Sequence, residues 1–96
     1  MIKVLMERDL PASFDVTDDA QAAWHARIAV DAVAASGGKM HWLCTYATEY
    51  RKLFGLVVVE DESVIDDCVE KAGISGGVKV HRVLRVLDPS LAAAKA

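Results

Sequence analysis

Glu7, Cys44 and His81 are the residues of this sequence whose side chains best suit a metal site. Carboxylate, thiolate and imidazole groups all bind divalent transition metals such as nickel and zinc. Glu7 and His81 each lie in a segment where apolar and polar residues alternate, as they do in a β-strand. If these two strands are neighbours, Glu7 and His81 supply two metal ligands, and a second subunit has to bring others.

Cys44 is harder to combine with His81, because the fold derived below puts them on the second and fourth strands. Adjacent strands lie about 4.8 Å apart, so three spacings separate the two side chains by roughly 14 Å. Ligands of one transition metal lie only about 2.0–2.3 Å from it. Cys44 and His81 of one chain therefore cannot bind the same ion.

A catalytic role for Cys44 as a nucleophile would need a nearby base. His41 cannot be that base, because it is an odd number of residues away and faces the other side of a regular strand.

An apolar pocket is the alternative to a metal site. Trp42, Cys44 and Tyr46 are two residues apart and are expected on one face of their strand. A glycine inside a strand, here Gly55, marks a bulge or leaves room for another group. A small-molecule site usually has this form, an apolar hollow with few polar groups. The predicted lining is Leu5, Trp42, Cys44, Tyr46, Gly55, Val57 and Val83. The competing interpretation is a packed dimer core in which Gly55 makes room for an aromatic ring.

Four strands and two helices are predicted to position these residues. Ile2 to Arg8 alternates as a half-buried strand, and Pro11 ends it. Thr17 is predicted as the N-cap of a helix that stops at Gly37-Gly38, with Ala22, Ala26, Ala29, Val30 and Val33 on its apolar face. Asp61 is predicted to cap a second helix ending at Gly73, with Val64, Ile65, Cys68, Val69 and Ala72 on its buried stripe. The strands Lys39 to Ala47 and Lys52 to Val59 form a hairpin, and Val78 to Leu87 is the last strand.

The order β-α-β-β-α-β is that of the ferredoxin-like fold, an α+β architecture with an antiparallel sheet in the order 4-1-3-2 and both helices on one face. We expect Ile2, Val4, Met6, Val78, Val80, Leu84 and Val86 under the helices. Lys3, Leu5, Glu7, Lys79, His81, Val83 and Arg85 are expected on the face left open. Both faces of the hairpin strands are apolar, so a second copy is expected to cover that open face. Residues 1–90 form this domain and residues 91–96 a tail.

Composition supports association and excludes some functions. The apolar fraction of the 96 residues is 53%, above the roughly 45–50% usual for soluble domains. A net charge of −3 without a basic cluster argues against a nucleic-acid partner. No apolar run is long enough for a membrane span, and the charged N-terminal segment is unlike a signal peptide. A cytoplasmic protein is therefore expected.

Several short motifs resemble a family of small bacterial proteins, the nickel-binding ferredoxin-like domains, most of whose members have no assigned function. They are Glu7-Arg8-Asp9-Leu10-Pro11, Trp42-Leu43-Cys44-Thr45-Tyr46, Lys52-Leu53-Phe54 and the segment from Val83 to Asp88-Pro89-Ser90. The resemblance implies a homodimer and, for some members, nickel binding.

This chain departs from the family pattern at three positions. The second strand of the family usually reads Trp-x-His-Ser-Tyr, and Cys44 takes the place of the histidine. Its third strand usually carries Cys-x-Tyr, where this chain has Gly55 and Val57. These departures remove polar ligands and leave space, which favours an organic ligand.

The sequence thus predicts a small homodimer that binds either a nickel-like divalent metal, through Glu7, Cys44 and His81, or a small apolar ligand at the open sheet face. The alternative is a cofactor-free enzyme of the isomerase, cyclase or monooxygenase type. It would act on a hydrophobic small molecule in a dimeric α/β-barrel pocket, with Glu7, His81 or Tyr46 as general acid or base. A purely structural interaction module is a third interpretation.

Overall fold

The computed structural model describes residues 1–73 and 77–94, which form an α+β structure compatible with the ferredoxin-like fold. Its elements are the strands β1 (Ile2–Asp9), β2 (Met40–Ala47), β3 (Lys52–Val59) and β4 (Lys79–Arg82), and the helices α1 (Asp19–Ala34), α2 (Ser63–Lys71) and α3 (Pro89–Ala94). The first three strands begin and end within one residue of their predicted bounds. The helix α3 occupies most of the predicted tail, whose last two residues lie outside the described ranges.

The four strands form one antiparallel sheet in the order β2-β3-β1-β4, which reads 4-1-3-2 from the opposite edge. The central strands β1 and β3 pair along their whole length, from Ile2 opposite Val59 to Asp9 opposite Lys52. Successive side chains alternate between two faces. One face, which we call the helix face, carries Val4 and Val57 of the core. The other, the open face, carries Leu5 and Leu56.

The turn between β2 and β3 also holds the segment that follows β1. Arg51 has a positive φ of 58°, which is uncommon for a residue other than glycine. Its backbone carbonyl accepts a hydrogen bond of 2.8 Å from the NH of Leu10. Its Nη2 donates to the carbonyl oxygens of Pro11 and Phe14, at 2.5 and 3.1 Å. The β1–α1 connection is therefore fixed to the hairpin.

A β-bulge at Leu43 changes the faces that the second strand presents. Trp42 pairs with Val57, but Cys44 pairs with Leu56 and Thr45 with Gly55. One extra residue in a strand moves the side chains that follow it to the opposite face of the sheet. Trp42 and Thr45 therefore both lie on the helix face, whereas Cys44 and Tyr46 lie on the open face. The expectation that Trp42, Cys44 and Tyr46 share one face was wrong for this reason.

The last strand is shorter than the predicted Val78 to Leu87. The pairing of Val4 with Arg82, and the hydrogen bond of 2.9 Å from the NH of Val83 to the carbonyl of Lys3, bring β4 close to the first residues of β1. Within the described residues, the pairing of this segment with β1 does not continue beyond Val83. Leu84 and Val86 were predicted under the helices, but they are 92% and 46% exposed.

The two long helices pack differently against the sheet. In α2, Val64, Ile65 and Cys68 are buried as predicted, and they join Val4, Met40, Val57 and Val59 in the core. In α1 no residue is buried. Ala22 and Val30, expected on its apolar face, are exposed, and His25, Ile28, Ala29, Ala32 and Val33 are its partly covered residues near the sheet. Alanine side chains bury little area, so they specify the rotation of a helix only weakly.

The helices begin slightly later than predicted. The N-cap of α1 is Asp18 rather than Thr17, and its carboxylate accepts a hydrogen bond of 3.0 Å from the NH of Gln21. Asp61 lies before α2 and accepts from the NH of Ser63 at 2.8 Å. Within the described ranges, no helix has both the length and the apolar character needed to cross a bilayer.

Candidate ligand pocket

A cavity of about 90 Å³ lies between the helix face of the sheet and the two helices. We call it the inner cavity. Its walls are mostly apolar, and its lining comprises Met6, Arg8, Met40, Trp42, Thr45, Leu53, Gly55 and Val57 from the sheet, with His25, Ala29, Ala32, Val33, Cys68, Val69 and Ala72 from the helices. The helix face therefore encloses the hollow that was expected on the open face.

Gly55 helps to create this space. It pairs with Met6 on one side and Thr45 on the other, in the middle of the sheet. A Cβ atom added at Gly55 would lie 3.4 Å from Thr45 Oγ1 and 4.0 Å from Met6 Cβ, which are ordinary contacts. An alanine therefore fits, whereas the outer atoms of a larger side chain would project from the strand into the inner cavity.

Trp42 forms a wall of the inner cavity. Its Nε1 donates a hydrogen bond of 2.9 Å to Thr45 Oγ1. The two residues are three apart and meet only because the bulge at Leu43 puts them on one face. A partly buried indole needs a partner for its NH group, and this bond fixes the orientation of the ring.

Arg8 and His25 are the polar pair of the cavity. Arg8 Nη2 lies 3.0 Å from His25 Nε2 and 3.4 Å from Nδ1. A guanidinium group only donates, so a nitrogen of the His25 ring accepts, and Nε2 is the nearer of the two. Burial, and then the charge of Arg8, lower the pKa of His25, which favours this neutral ring. The Phe14 ring packs edge-on against His25, with 5.4 Å between centroids and 68° between planes.

A second cavity, of about 190 Å³, adjoins the first toward the surface. We call it the outer cavity. It shares Arg8, His25, Ala29 and Ala72 with the inner cavity. Its other lining residues are Pro11, Phe14, Trp24, Ile28 and Gly73. Trp24 is 57% exposed, so it stands at the entrance. The two cavities meet at Arg8 and His25, and Gly55 lies in the wall of the inner cavity.

The open face holds a separate cluster of charged groups around Glu7. Its Oε1 lies 3.1 Å from His81 Nε2, and its Oε2 lies 3.5 Å from Lys52 Nζ. The hydrogen bond with His81 is the main cause that lowers the pKa of Glu7, and Lys52 adds to it. The structure thus brings together two of the predicted metal ligands, but a lysine occupies the other carboxylate oxygen. Within residues 1–73 and 77–94, no three His, Cys, Asp or Glu residues are grouped as a metal site requires.

The remaining predicted site residues divide between the two faces. Trp42, Gly55 and Val57 line the inner cavity, whereas Leu5, Cys44 and Tyr46 lie on the open face by their register. Val83 follows β4, beside Lys3. Tyr46 is 61% exposed, and its interaction with the Cys44 thiol raises the pKa of the phenol. These residues therefore do not form one pocket within a single chain.

Sequence reasoning did not identify Arg8, Phe14 or His25. A signal for Arg8 was present, because it continues the series Ile2, Val4 and Met6 that points toward the helices. A charged side chain at the end of a core-facing series suggests a buried polar site. His25 gave no such signal, since the rotation of α1 decides whether it faces the sheet.

No protein-family model matches the chain, and no curated protein matches it. The resemblance to the nickel-binding family therefore stays a prediction.

Proposed function

We propose that the protein binds a small, largely apolar organic molecule in the inner and outer cavities, and that it does so as a homodimer. The observation that carries the proposal is the apolar inner cavity, which is lined by the sheet and by both helices. Burial of apolar surface is favourable by about 25 cal/mol per Å². An apolar molecule that replaces water against these walls is therefore stabilised there.

The dimensions limit the ligand to a small molecule. An engineered cavity of about 150 Å³ is large enough for benzene, and sites for drug-sized ligands occupy about 300–1,000 Å³. The inner cavity, of about 90 Å³, and the outer cavity, of about 190 Å³, lie below that range. A single ring or a branched chain with a short extension fits them, and a nucleotide does not.

The homodimer rests on the open face. Leu5, Phe54, Leu56 and Val58 lie on this face by their register in β1 and β3. The core helix α2 and the cavity-lining residues of α1 lie on the other side of the sheet. Two copies that join through this face would cover these side chains in an isologous interface. Sedimentation velocity tests it: the wild type should sediment as a dimer, and Phe54→Glu should sediment as a monomer. A wild-type monomer at micromolar concentration contradicts the dimer.

The ligand site can be tested with a neutral probe, toluene, and amide chemical shifts. Toluene should shift the amide resonances of Thr45, Gly55 and Val57 in a saturable way. Gly55→Val places methyl groups in the inner cavity and should abolish these shifts while the fold is kept. Gly55→Ala is the matched control, since its Cβ makes only ordinary contacts, and it should still bind. Shifts confined to open-face residues, or unchanged in Gly55→Val, contradict the proposal.

A divalent metal is a second candidate, supported by the contact between Glu7 and His81. Two copies joined through their open faces could bring two such pairs together and complete a coordination shell. Calorimetric titration with nickel, zinc and copper tests this candidate, with His81→Gln as the variant that should lose the heat. The absence of heat from the wild type at neutral pH contradicts it.

The enzymatic alternative needs an acid or base beside the substrate. Glu7, His81 and Tyr46 lie on the face opposite the cavity, whereas His25 is an ionisable base that lines it.

A further inference from the structure

Arg8 is a cation on the wall of an apolar cavity without a carboxylate partner. The ion pairs within the described ranges join Lys52 to Glu7 and Asp9, His81 to Glu7, and Arg82 to Glu62. Arg8 is in none of them, although it is half-buried and borders both cavities. Removing a charge from water is costly, so partly buried charges normally have a counter-charge. At Arg8 this counter-charge does not come from the described part of the chain.

The contact with His25 leaves most of the guanidinium group available. It uses Nη2 alone, and an arginine carries five NH donors in a planar fork. His25 accepts as a neutral ring, so it orients Arg8 without neutralising it. The Phe14 ring holds His25 from the other side. A guanidinium group that is fixed in this way is arranged for a planar anion, since the fork matches the two oxygens of a carboxylate.

We infer that Arg8 binds the carboxylate of the ligand, and that the ligand is a small organic acid with an apolar body. This inference rests on the proposed function, because it assigns the chemical class of the molecule in the same cavities. The apolar body extends toward Gly55 and Trp42 in the inner cavity. The carboxylate stays at Arg8, where the inner and outer cavities meet.

A carboxylate fits better than a phosphate monoester. Among residues 1–73 and 77–94, Arg8 is the only Lys or Arg residue that lines either cavity, and His25 faces it as a neutral acceptor. A carboxylate carries one negative charge, which Arg8 balances. A phosphate monoester carries about −1.5 to −2 at neutral pH and needs further cations or donors. The charge and the small volume together point to a monocarboxylic acid.

The test compares two probes of nearly equal shape, phenylacetate and phenylacetamide, by amide chemical shifts of the wild-type protein. Benzoate with benzamide, and isovalerate with isovaleramide, extend the comparison to other apolar bodies. Each acid should bind at least about tenfold more tightly than its amide, because hydrogen bonds to a charged group are stronger than neutral ones. Arg8→Met should reduce the affinity for the acid to that for the amide and change the affinity for the amide by less than about twofold.

Arg27→Met is the matched control, because Arg27 is exposed on α1 and outside both cavities. It should keep the preference for the acid. Arg8→Lys retains the positive charge but not the planar guanidinium group, and it should lose part of the preference for the acid over the amide. If Arg8→Met does not fold, the comparison of acid with amide in the wild type still tests whether the site prefers a carboxylate.

The outcomes separate this inference from the proposed function. Equal affinities for acid and amide, or a preference that survives in a folded Arg8→Met, overturn the role of Arg8 and leave the cavity as a site for neutral molecules. If no acid binds but toluene shifts the Gly55 amide resonance, the ligand is not a carboxylic acid, and the proposal of an apolar pocket is retained. If neither the acids nor toluene bind, both proposals are wrong.

Discussion

The helices α1 and α2 lie over the same face of one sheet but differ in how completely they are packed. In nine residues, α2 buries Val64, Ile65 and Cys68, whereas the sixteen residues of α1 include no buried side chain. The difference follows mainly from residue type, because α2 buries Val64 and Ile65 whereas α1 presents several alanines and His25 beside only partly covered Ile28 and Val33. The α2 side provides the core, and the α1 side leaves room for a ligand. Stability and binding are therefore expected to respond to mutation in different regions.

The largest expected effect tests the α2 side. Ile65 is 1% exposed, within the core cluster, and Ile65→Ala should lower the free energy of unfolding by about 2–5 kcal/mol. Val30, on α1, is 52% exposed, and Val30→Ala should change it by less than about 0.5 kcal/mol. Urea denaturation followed by circular dichroism measures both. Similar losses in the two variants would show that the helices are packed alike.

Larger side chains should have opposite effects on the two sides. Ile65 is 1% exposed and lines neither cavity, so Ile65→Phe overpacks the core and should cost about 1–3 kcal/mol. Gly55→Val fills the inner cavity and stiffens a strand, and it should stabilise the unliganded protein by about 1 kcal/mol. Thermal unfolding of both variants, without ligand, makes the comparison. Destabilisation by Gly55→Val as large as that by Ile65→Phe would mean that the inner cavity is not usable space.

A single hydrogen bond on the pocket side should have a smaller effect. Thr45→Val keeps the shape of the side chain but removes the acceptor of the Trp42 indole NH, whose bond is 2.9 Å long. The partly buried donor is then unsatisfied, which should cost about 1 kcal/mol. The emission spectrum of Trp42, measured in a Trp24→Phe background, should change because the ring is no longer held. Thr45→Ser, which keeps the acceptor, should leave the spectrum close to that of the parent. An unchanged spectrum in Thr45→Val would show that another group fixes the ring.

The sequence predicted the elements well and the faces less well, for physical reasons that differ from residue to residue. Alternation of apolar residues located β1, two β-rich runs around a polar turn located β2 and β3, and the spacing of Val64, Ile65 and Cys68 identified the buried stripe of α2. Leu43 has no property that marks a bulge, yet the bulge moves Cys44 and Tyr46 away from Trp42. Trp42 and Gly55 were consequently expected on the open face, whereas they line a cavity on the helix face.

Two further differences have non-local causes. The alternation that includes Leu84 continues past Val83, where the pairing with β1 stops. A pattern along one segment does not report where its pairing with a neighbouring strand ends. In α1, the alanines leave the rotation of the helix to its tertiary contacts, so the position of His25 beside Arg8 could not be derived from spacing.

The smallest expected effect is the pH dependence of stability that His25 causes. Burial, and then the Arg8 charge, lower the pKa of His25 in the folded protein below its ordinary value of 6.5. Between these two pKa values the unfolded chain binds more protons than the folded protein, so stability falls as the pH is lowered from about 7 toward the folded pKa.

His25→Gln should flatten this part of the curve of unfolding free energy against pH. The matched control His41→Gln replaces an exposed histidine outside both cavities and should keep it. Carboxylates such as Glu7, whose pKa is lowered from 4.5, act at lower pH and do not obscure the comparison. A curve for His25→Gln that matches the wild type would show that the packing of α1 on the sheet does not cover His25, and that this side is more open than the contacts of His25 with Arg8 and Phe14 indicate.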